Sequence, residues 1–423
     1  RTPDRRPMLI SKSKITLYFI ILMFEYLFNP YIRTKPISSK NGFGQSYFIQ
    51  LRTILRMKNT SIFKPYLMKA PEYLGGKGTN EVVSKASKIY KLSSNENPLG
   101  ASPKATHSIV ESAKNLHIYP DRTGLRLQEA LSNFYDNELS PDQFVPTNSG
   151  SESIEFIARA FLSEGSECIV SNPSFMPYTM FSGWNGAKVV DIPLKLPNYD
   201  LNVPAILGAI NENTRLIFIT SPNNPTGTYI PKDKIDALMD GIPEHVIVVL
   251  DEVYYHFADA PDFTTAIPYV QAGKKMIAIN SFSKTYGLAA LRIGYAYSTP
   301  EIAQYLRALY RPFLINIIGL NAGIAALSDR EFINETVDLV QKERVRFYPI
   351  FDKLGLTYWK SQGNFILFKS PIDAPKLEQQ LLTEAGVMVR NATGFGASNC
   401  LRVTIGTAEA NDAFLKGIVR LLL

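Results

Sequence analysis

The stretch Ser281-Phe282-Ser283-Lys284-Thr285-Tyr286-Gly287-Leu288-Ala289-Ala290-Leu291-Arg292-Ile293-Gly294 sets one lysine among hydroxyl residues, with an arginine eight positions further on. The segment before it, Lys275-Met276-Ile277-Ala278-Ile279-Asn280, reads as a buried strand. A lysine just past such a strand is a candidate imine-forming amine, and two hydroxyls with a guanidinium suit a phosphate. An amine for an aldehyde and a cradle for a phosphate are together what pyridoxal 5′-phosphate (PLP) requires. Taken alone, the segment also fits a surface lysine followed by a salt-bridging arginine.

Four more segments offer chemistry where apolar runs give way to turns, the place where open α/β sheets bind ligands. Thr147-Asn148-Ser149-Gly150-Ser151-Glu152 joins a strand to a helix. Small residues at a helix start expose N–H groups to a phosphate, though a plain N-cap fits as well. Thr220-Ser221-Pro222-Asn223-Asn224-Pro225-Thr226-Gly227 carries two amides, where a rigid turn needs only its Pro and Gly. Asp251 and Tyr254 follow the run Val246–Leu250. An acid at the end of a buried strand is costly unless paired or hydrogen-bonded, and a protonated pyridine nitrogen would be such a partner. Phe175, in Pro173–Tyr178, offers an aromatic face for a ring or for the core.

The elements that must position these residues are legible as well. From about residue 140 the chain alternates apolar runs with helical stretches. The candidate strands are Gln143–Thr147, Glu167–Ser171, Lys188–Ile192, Leu216–Thr220, Val246–Leu250, Met276–Asn280 and Ile293–Ser298. Several are unbroken apolar runs, as expected when helices cover both faces of a sheet. Ser151–Leu162 has helical spacing. The pattern predicts an α/β architecture with a largely parallel sheet. After about residue 300 come long helices, then shorter strands near Gly363–Lys369 and Cys400–Ile405, which predict a second, α+β lobe.

Composition bounds the partners. The 423 residues are 45% hydrophobic and 20% charged, ordinary for a globular enzyme of two lobes. The net charge of +7 is unevenly spread: residues 1–67 carry 12 Lys/Arg against 2 Asp/Glu, and the rest is slightly acidic. The body therefore gives no reason to expect nucleic-acid binding. Cys168 and Cys400 form no framework, and His107, His117, His245 and His256 show no ligand spacing, so no metal is expected. So few cysteines suit a reducing, cytoplasmic setting. Residues 1–67 form a basic extension holding the apolar run Ile15–Phe24, too short to span a membrane. An interfacial anchor, a targeting segment and sequence upstream of a start at Met68 all fit it, and the last is the expectation adopted.

The order and spacing of these segments resemble the fold-type I PLP-dependent aminotransferases. Leu92-Ser93-Ser94-Asn95-Glu96-Asn97-Pro98-Leu99-Gly100, Tyr119-Pro120-Asp121 and Cys400-Leu401-Arg402-Val403-Thr404-Ile405-Gly406-Thr407 narrow the resemblance to the histidinol-phosphate aminotransferase family, over roughly residues 70–423. The resemblance implies a large PLP-binding domain (119–310) with a seven-stranded, mostly parallel sheet. It also implies an N-terminal arm with part of a small domain (68–118) and a C-terminal small domain (311–423). Lys284 would hold PLP covalently and move the proton. Asp251 would pair with the ring nitrogen, while Asn224 and Tyr254 would bond the ring oxygen and Phe175 would stack. Gly150, Ser151, Glu152, Ser281, Ser283 and Arg292 would hold the phosphate. Tyr119 would reach the cofactor of a partner subunit, which implies a homodimer. Arg402 would bind the substrate carboxylate, with Arg390, Tyr73 and Asn95 also at the substrate. Phe175 stands where the family often has tyrosine, and Ala290 where it commonly has glycine.

The expected reaction is transfer of an amino group from histidinol phosphate to 2-oxoglutarate. An aromatic amino-acid aminotransferase and a decarboxylase of a phosphorylated amino acid share nearly all these residues and stay open at this level. So does a PLP-fold regulatory module, although residues 1–67 show no helix-turn-helix pattern.

Overall fold

The computed structural model describes residues 64, 66, 67, 78, 81, 82, 86 and 88–423. The chain divides into two compact units, residues 1–68 and 69–423, and the architecture below is that of the second. Tyr73 and nearly all of the basic extension lie outside the described residues.

Among the described residues, twelve strands form three sheets. In chain order they are β1 (Tyr90–Lys91), β2 (Phe144–Thr147), β3 (Glu167–Val170), β4 (Lys188–Asp191), β5 (Thr214–Thr220), β6 (Ile247–Asp251), β7 (Met276–Ser281), β8 (Gly294–Tyr297), β9 (Phe365–Lys369), β10 (Val387–Met388), β11 (Arg390–Asn391) and β12 (Cys400–Thr404). Seven of them make one sheet in the order β2-β8-β7-β6-β5-β3-β4. All its pairings are parallel except those of β8, which runs against both neighbours. The large, mostly parallel sheet and a smaller sheet, β11-β12-β9, agree with the sequence reading, each expected strand lying within about two residues of its limits, while β1, β10 and β11 were not expected.

Strand parity decides what faces what. Val248 and Leu250 of β6 enter one core layer with Ile217, Ile219, Met276 and Ala278. Ile247 and Val249 enter the opposite layer with Leu216, Phe218, Ile277 and Ile279. Both faces are apolar, which accounts for the unbroken runs in the sequence. Because side chains alternate, Asp251, Thr220 and Ser281 leave the sheet on the second face. The helix Gly150–Phe161 covers that face with Ile154 and Ile157. A separate core, with Phe347, Phe351, Phe365, Phe368, Val403 and Phe414, lies against the smaller sheet. Among the described residues no helix is long and apolar enough to cross a membrane.

Two glycines allow close approaches at the edge of the large sheet. A Cβ on Gly294 would come within 2.5 Å of the Gly150 nitrogen, so only glycine lets the helix start against β8. Gly287, at φ +69°, sits where a side chain would run into the Gly100 carbonyl. Gly294→Ala should therefore lower stability by about 1–3 kcal/mol by overpacking. Gly183→Ala, in a helix with no atom within 4 Å of the added methyl, should be neutral or stabilising by up to ~1 kcal/mol. Urea midpoints of the two variants check the pair, and equal midpoints would contradict the packing account.

Candidate active site

Strand register gathers the site. Thr220 is the partner of Asp251, Ser281 of Gly294, and Gly294 of Thr147. The carboxyl ends of β5 and β6 therefore lie level, as do those of β2 and β7 with the amino end of the antiparallel β8 between them, and Ser281 stands two residues beyond the level of Asp251, which pairs with Ile279. A cavity of about 300 Å³ opens above this edge, within the range of small-ligand sites. Of the residues singled out in the sequence, Gly150, Ser151, Phe175, Asn224, Asp251, Tyr254, Ser281, Ser283, Lys284, Arg292, Asn95, Arg390 and Arg402 line it.

Asp251 is only 5% exposed. Tyr178 donates to its Oδ2 at 2.6 Å, and the Val253 N–H to its Oδ1 at 3.2 Å. Burial pushes its carboxyl up to about 6, against the pull of these hydrogen bonds and of Lys284. Lys284, half-buried, donates to the Ser94 carbonyl at 3.1 Å, with its Nζ 5.8 Å from the centre of the Tyr254 ring. Burial lowers its amine to about 7, and repulsion from Arg402 and Arg292 adds to the shift. The next carboxylate, Glu252, points to the opposite face. Tyr297, Asn280 and the Ala266 N–H donate to it there, and it takes no part in the cavity.

Ser281 Oγ donates to Ser283 Oγ at 2.9 Å and accepts from the Ser283 N–H, which holds the turn before Lys284. Arg292 adopts the left-handed region at φ +52°, a conformation costing about 1 kcal/mol that turns the chain into β8. At the helix start the N–H groups of Gly150 and Ser151 have no intrahelical acceptor. Glu152 behaves differently from expectation and does not line the cavity. Its N–H donates to Ser149 Oγ at 3.1 Å, and its carboxylate accepts from the Asn148 N–H, in the manner of a capping box. The Ser-x-x-Glu spacing carries that signal in the sequence.

Arg402 on β12 and Arg390 on β11 are register partners, so two guanidinium groups share one wall. Arg402 donates to Asn224 Oδ1 and to the Ser93 carbonyl. Asn95, buried at φ +54°, donates from Nδ2 to Tyr254 Oη at 3.0 Å and from its N–H to Thr404 Oγ1 at 2.9 Å. Tyr119 is not part of this cavity: it is 78% exposed and stacks on Phe313, with ring centroids 4.7 Å apart. Tyr178 and Thr220 also line the cavity, and the sequence reading gave neither a role. The Pro177 helix start, two residues after Phe175, was the available signal for Tyr178. No group of three or more potential metal ligands occurs among the described residues.

The family model for aminotransferase classes I and II matches residues 87–418. The histidinol-phosphate aminotransferase of Brevibacillus brevis is 37% identical over 354 residues, which cover 83% of this chain and 96% of that protein. The chain belongs to the histidinol-phosphate aminotransferase family. Its relative from Akkermansia muciniphila is 40% identical over 324 residues, covering 76% of this chain and 87% of the relative. Among solved structures, the histidinol-phosphate aminotransferase of Sinorhizobium meliloti in complex with pyridoxal 5′-phosphate has a TM-score of 0.77. It is 25% identical and covers 86% of this chain and all of that one. The enzyme from Clostridium acetobutylicum has a TM-score of 0.72 at 26% identity, covering 79% of this chain and 99% of its own.

The lowered proton affinity of Lys284 gives a test on the chain alone. Its amine should react with a small aldehyde under a reducing agent, with a rate rising through pH 7 as it deprotonates, while ordinary lysines rise only above about pH 9. Peptide mass spectrometry across a pH series follows each lysine. A Lys284 profile indistinguishable from surface lysines would contradict the site electrostatics.

Proposed function

We propose that this chain is a PLP-dependent aminotransferase that moves the amino group of histidinol phosphate to 2-oxoglutarate, in histidine biosynthesis. The observation that carries the cofactor reading is the pairing of Lys284, an amine of lowered proton affinity, with the buried acid Asp251 across one cavity. The residues present fit the group. Asp251 is a buried carboxylate without a hydrogen-bonded cation, and Ser281, Ser283, Arg292 and the helix start at Gly150 surround a place for a phosphate.

When bound, PLP supplies an aldehyde that takes up amines and a ring that accepts the electrons left when Cα loses a proton. Asp251 would hold the ring nitrogen protonated. Asn224 accepts from Arg402 through Oδ1, which leaves its Nδ2 to donate to the ring oxygen. Tyr254, whose hydroxyl accepts from Asn95, would bond the same oxygen. Phe175 would cover the ring face. The N–H groups of Gly150 and Ser151, with Ser281, Ser283 and Arg292, would hold the phosphate. Glu152 supports this cradle only by capping the helix. Lys284 would take the proton from the substrate Cα and deliver it to the carbon of the PLP aldehyde, a task suited to an amine near neutrality. Two substrates would use one site in turn, giving ping-pong kinetics.

Arg390 and Arg402, register partners on neighbouring strands, both line the cavity, and two guanidinium groups on one wall suit an anionic substrate. We assign the carboxylate of 2-oxoglutarate to Arg402 and the phosphate of histidinol phosphate to Arg390, with Tyr73 as a further contact. The names of the relatives support the same substrate. A homodimer is part of this reading, with Tyr119 reaching the neighbouring subunit's cofactor.

Lys284→Ala should abolish turnover and the visible absorbance that PLP acquires on binding, and activity close to that of the parent would refute the assignment. Arg390→Ala should raise KM for histidinol phosphate about ten-fold or more while leaving that for 2-oxoglutarate within about two-fold. Steady-state kinetics with each substrate varied decide this, and an unchanged KM for histidinol phosphate would remove Arg390 from the phosphate site.

A further inference from the structure

Tyr178, outside every role assigned so far, closes the site from below. It lies in the first turn of the helix Pro177–Trp184 and is 2% exposed. Its ring stacks on Phe218, with centroids 5.1 Å apart and planes 15° from parallel, and meets Phe175 edge-on at 5.8 Å. Its hydroxyl donates to Asp251 Oδ2 at 2.6 Å and accepts from Thr220 Oγ1 at 2.9 Å. Ser174, 3.4 Å from Thr220, gives its own proton to Asn223 Oδ1 at 2.9 Å. The relay therefore has a direction: Thr220 to Tyr178 to Asp251. Register explains it, because Thr220 and Asp251 are partners on neighbouring strands and project to the face on which this helix lies.

We propose that Tyr178 is a positioning residue that fixes the Asp251 carboxylate at the cavity floor and keeps the proton shared with a bound ring nitrogen on that nitrogen rather than on the acid. The proposal rests on the PLP reading above. A carboxylate that already accepts a short, charge-assisted hydrogen bond is a weaker base, so it competes less for the ring's proton. Thr220 strengthens the donor by bonding to the same hydroxyl. The other titratable groups near Asp251 are Lys284 from the turn after β7 and Tyr254, which line the same cavity, and Glu252, which acts on it from the opposite face. Among the described residues, Tyr178 is the side chain that donates to it.

Tyr178→Phe removes the hydroxyl and keeps the ring. Wild type and variant, each loaded with PLP carrying ¹⁵N in its ring, are compared by NMR at several pH values and assayed. In the variant the ring nitrogen signal should move from the protonated position toward that of neutral pyridine. Its kcat should fall about ten-fold, with both KM values within about two-fold. A nitrogen signal unchanged from wild type overturns the proposal. Should Tyr178→Phe not fold or not load, Thr220→Val decides: a smaller displacement in the same direction supports the relay, and none overturns it. Wild-type protein that takes up no PLP overturns the cofactor reading itself, which separates that failure from this one.

Discussion

Strand ends gathered by register at one edge of the sheet are the constraint on which the rest of this protein depends. Thr147, Gly294, Ser281, Asp251 and Thr220 are linked pair by pair across the sheet, apart from the β6–β7 step, which pairs Asp251 with Ile279. Parity then fixes the face to which each side chain points. The same alternation that buries Val249 and Ile279 in one layer delivers Asp251 and Ser281 to the cavity and sends Glu252 to the other side. A one-residue slip in β6 would turn Asp251 to the opposite face and take its carboxylate out of the site.

The site also places two ionisable groups where burial moves them in opposite senses. Asp251 is raised to about 6 and Lys284 lowered to about 7, which brings an acid and a base with widely separated ordinary values close together near neutrality. Each is restrained by what it touches. Tyr178 and Val253 hold the acid as an anion, and the Ser94 carbonyl receives the amine. Neither arrangement is a requirement of folding. Hydrophobic residues would pack the same edge at lower cost, so the buried pair is most simply read as built for a ligand.

Much of this was legible in the sequence because the large sheet is covered on both faces. Such strands appear as short apolar runs, and the chemistry follows directly at their ends, as with Val246–Leu250 and Asp251. The order of the strands was not legible, because register and crossover leave no local trace. Glu152 shows a second kind of difference. Its position in the Asn148–Glu152 turn marks it for the cradle, yet the N-terminus of a helix also needs capping, and that demand took both its N–H and its carboxylate. Tyr178 was hidden for another reason: in sequence it is one aromatic residue in a helix, and its partner Asp251 lies 73 positions away. The Arg390–Arg402 pairing likewise depends on the antiparallel register of β11 and β12, which the sequence does not display.

The central claim is that Lys284, and no other lysine, is the amine presented to a carbonyl group at the floor of this cavity. Incubating the full chain with PLP, reducing with borohydride and mapping the labelled peptide tests it most directly. The account predicts one stable pyridoxyl adduct, on Lys284, that is not formed when Asp251 is replaced by a residue that abolishes cofactor retention. An adduct spread over surface lysines, or found on another single lysine, would contradict it.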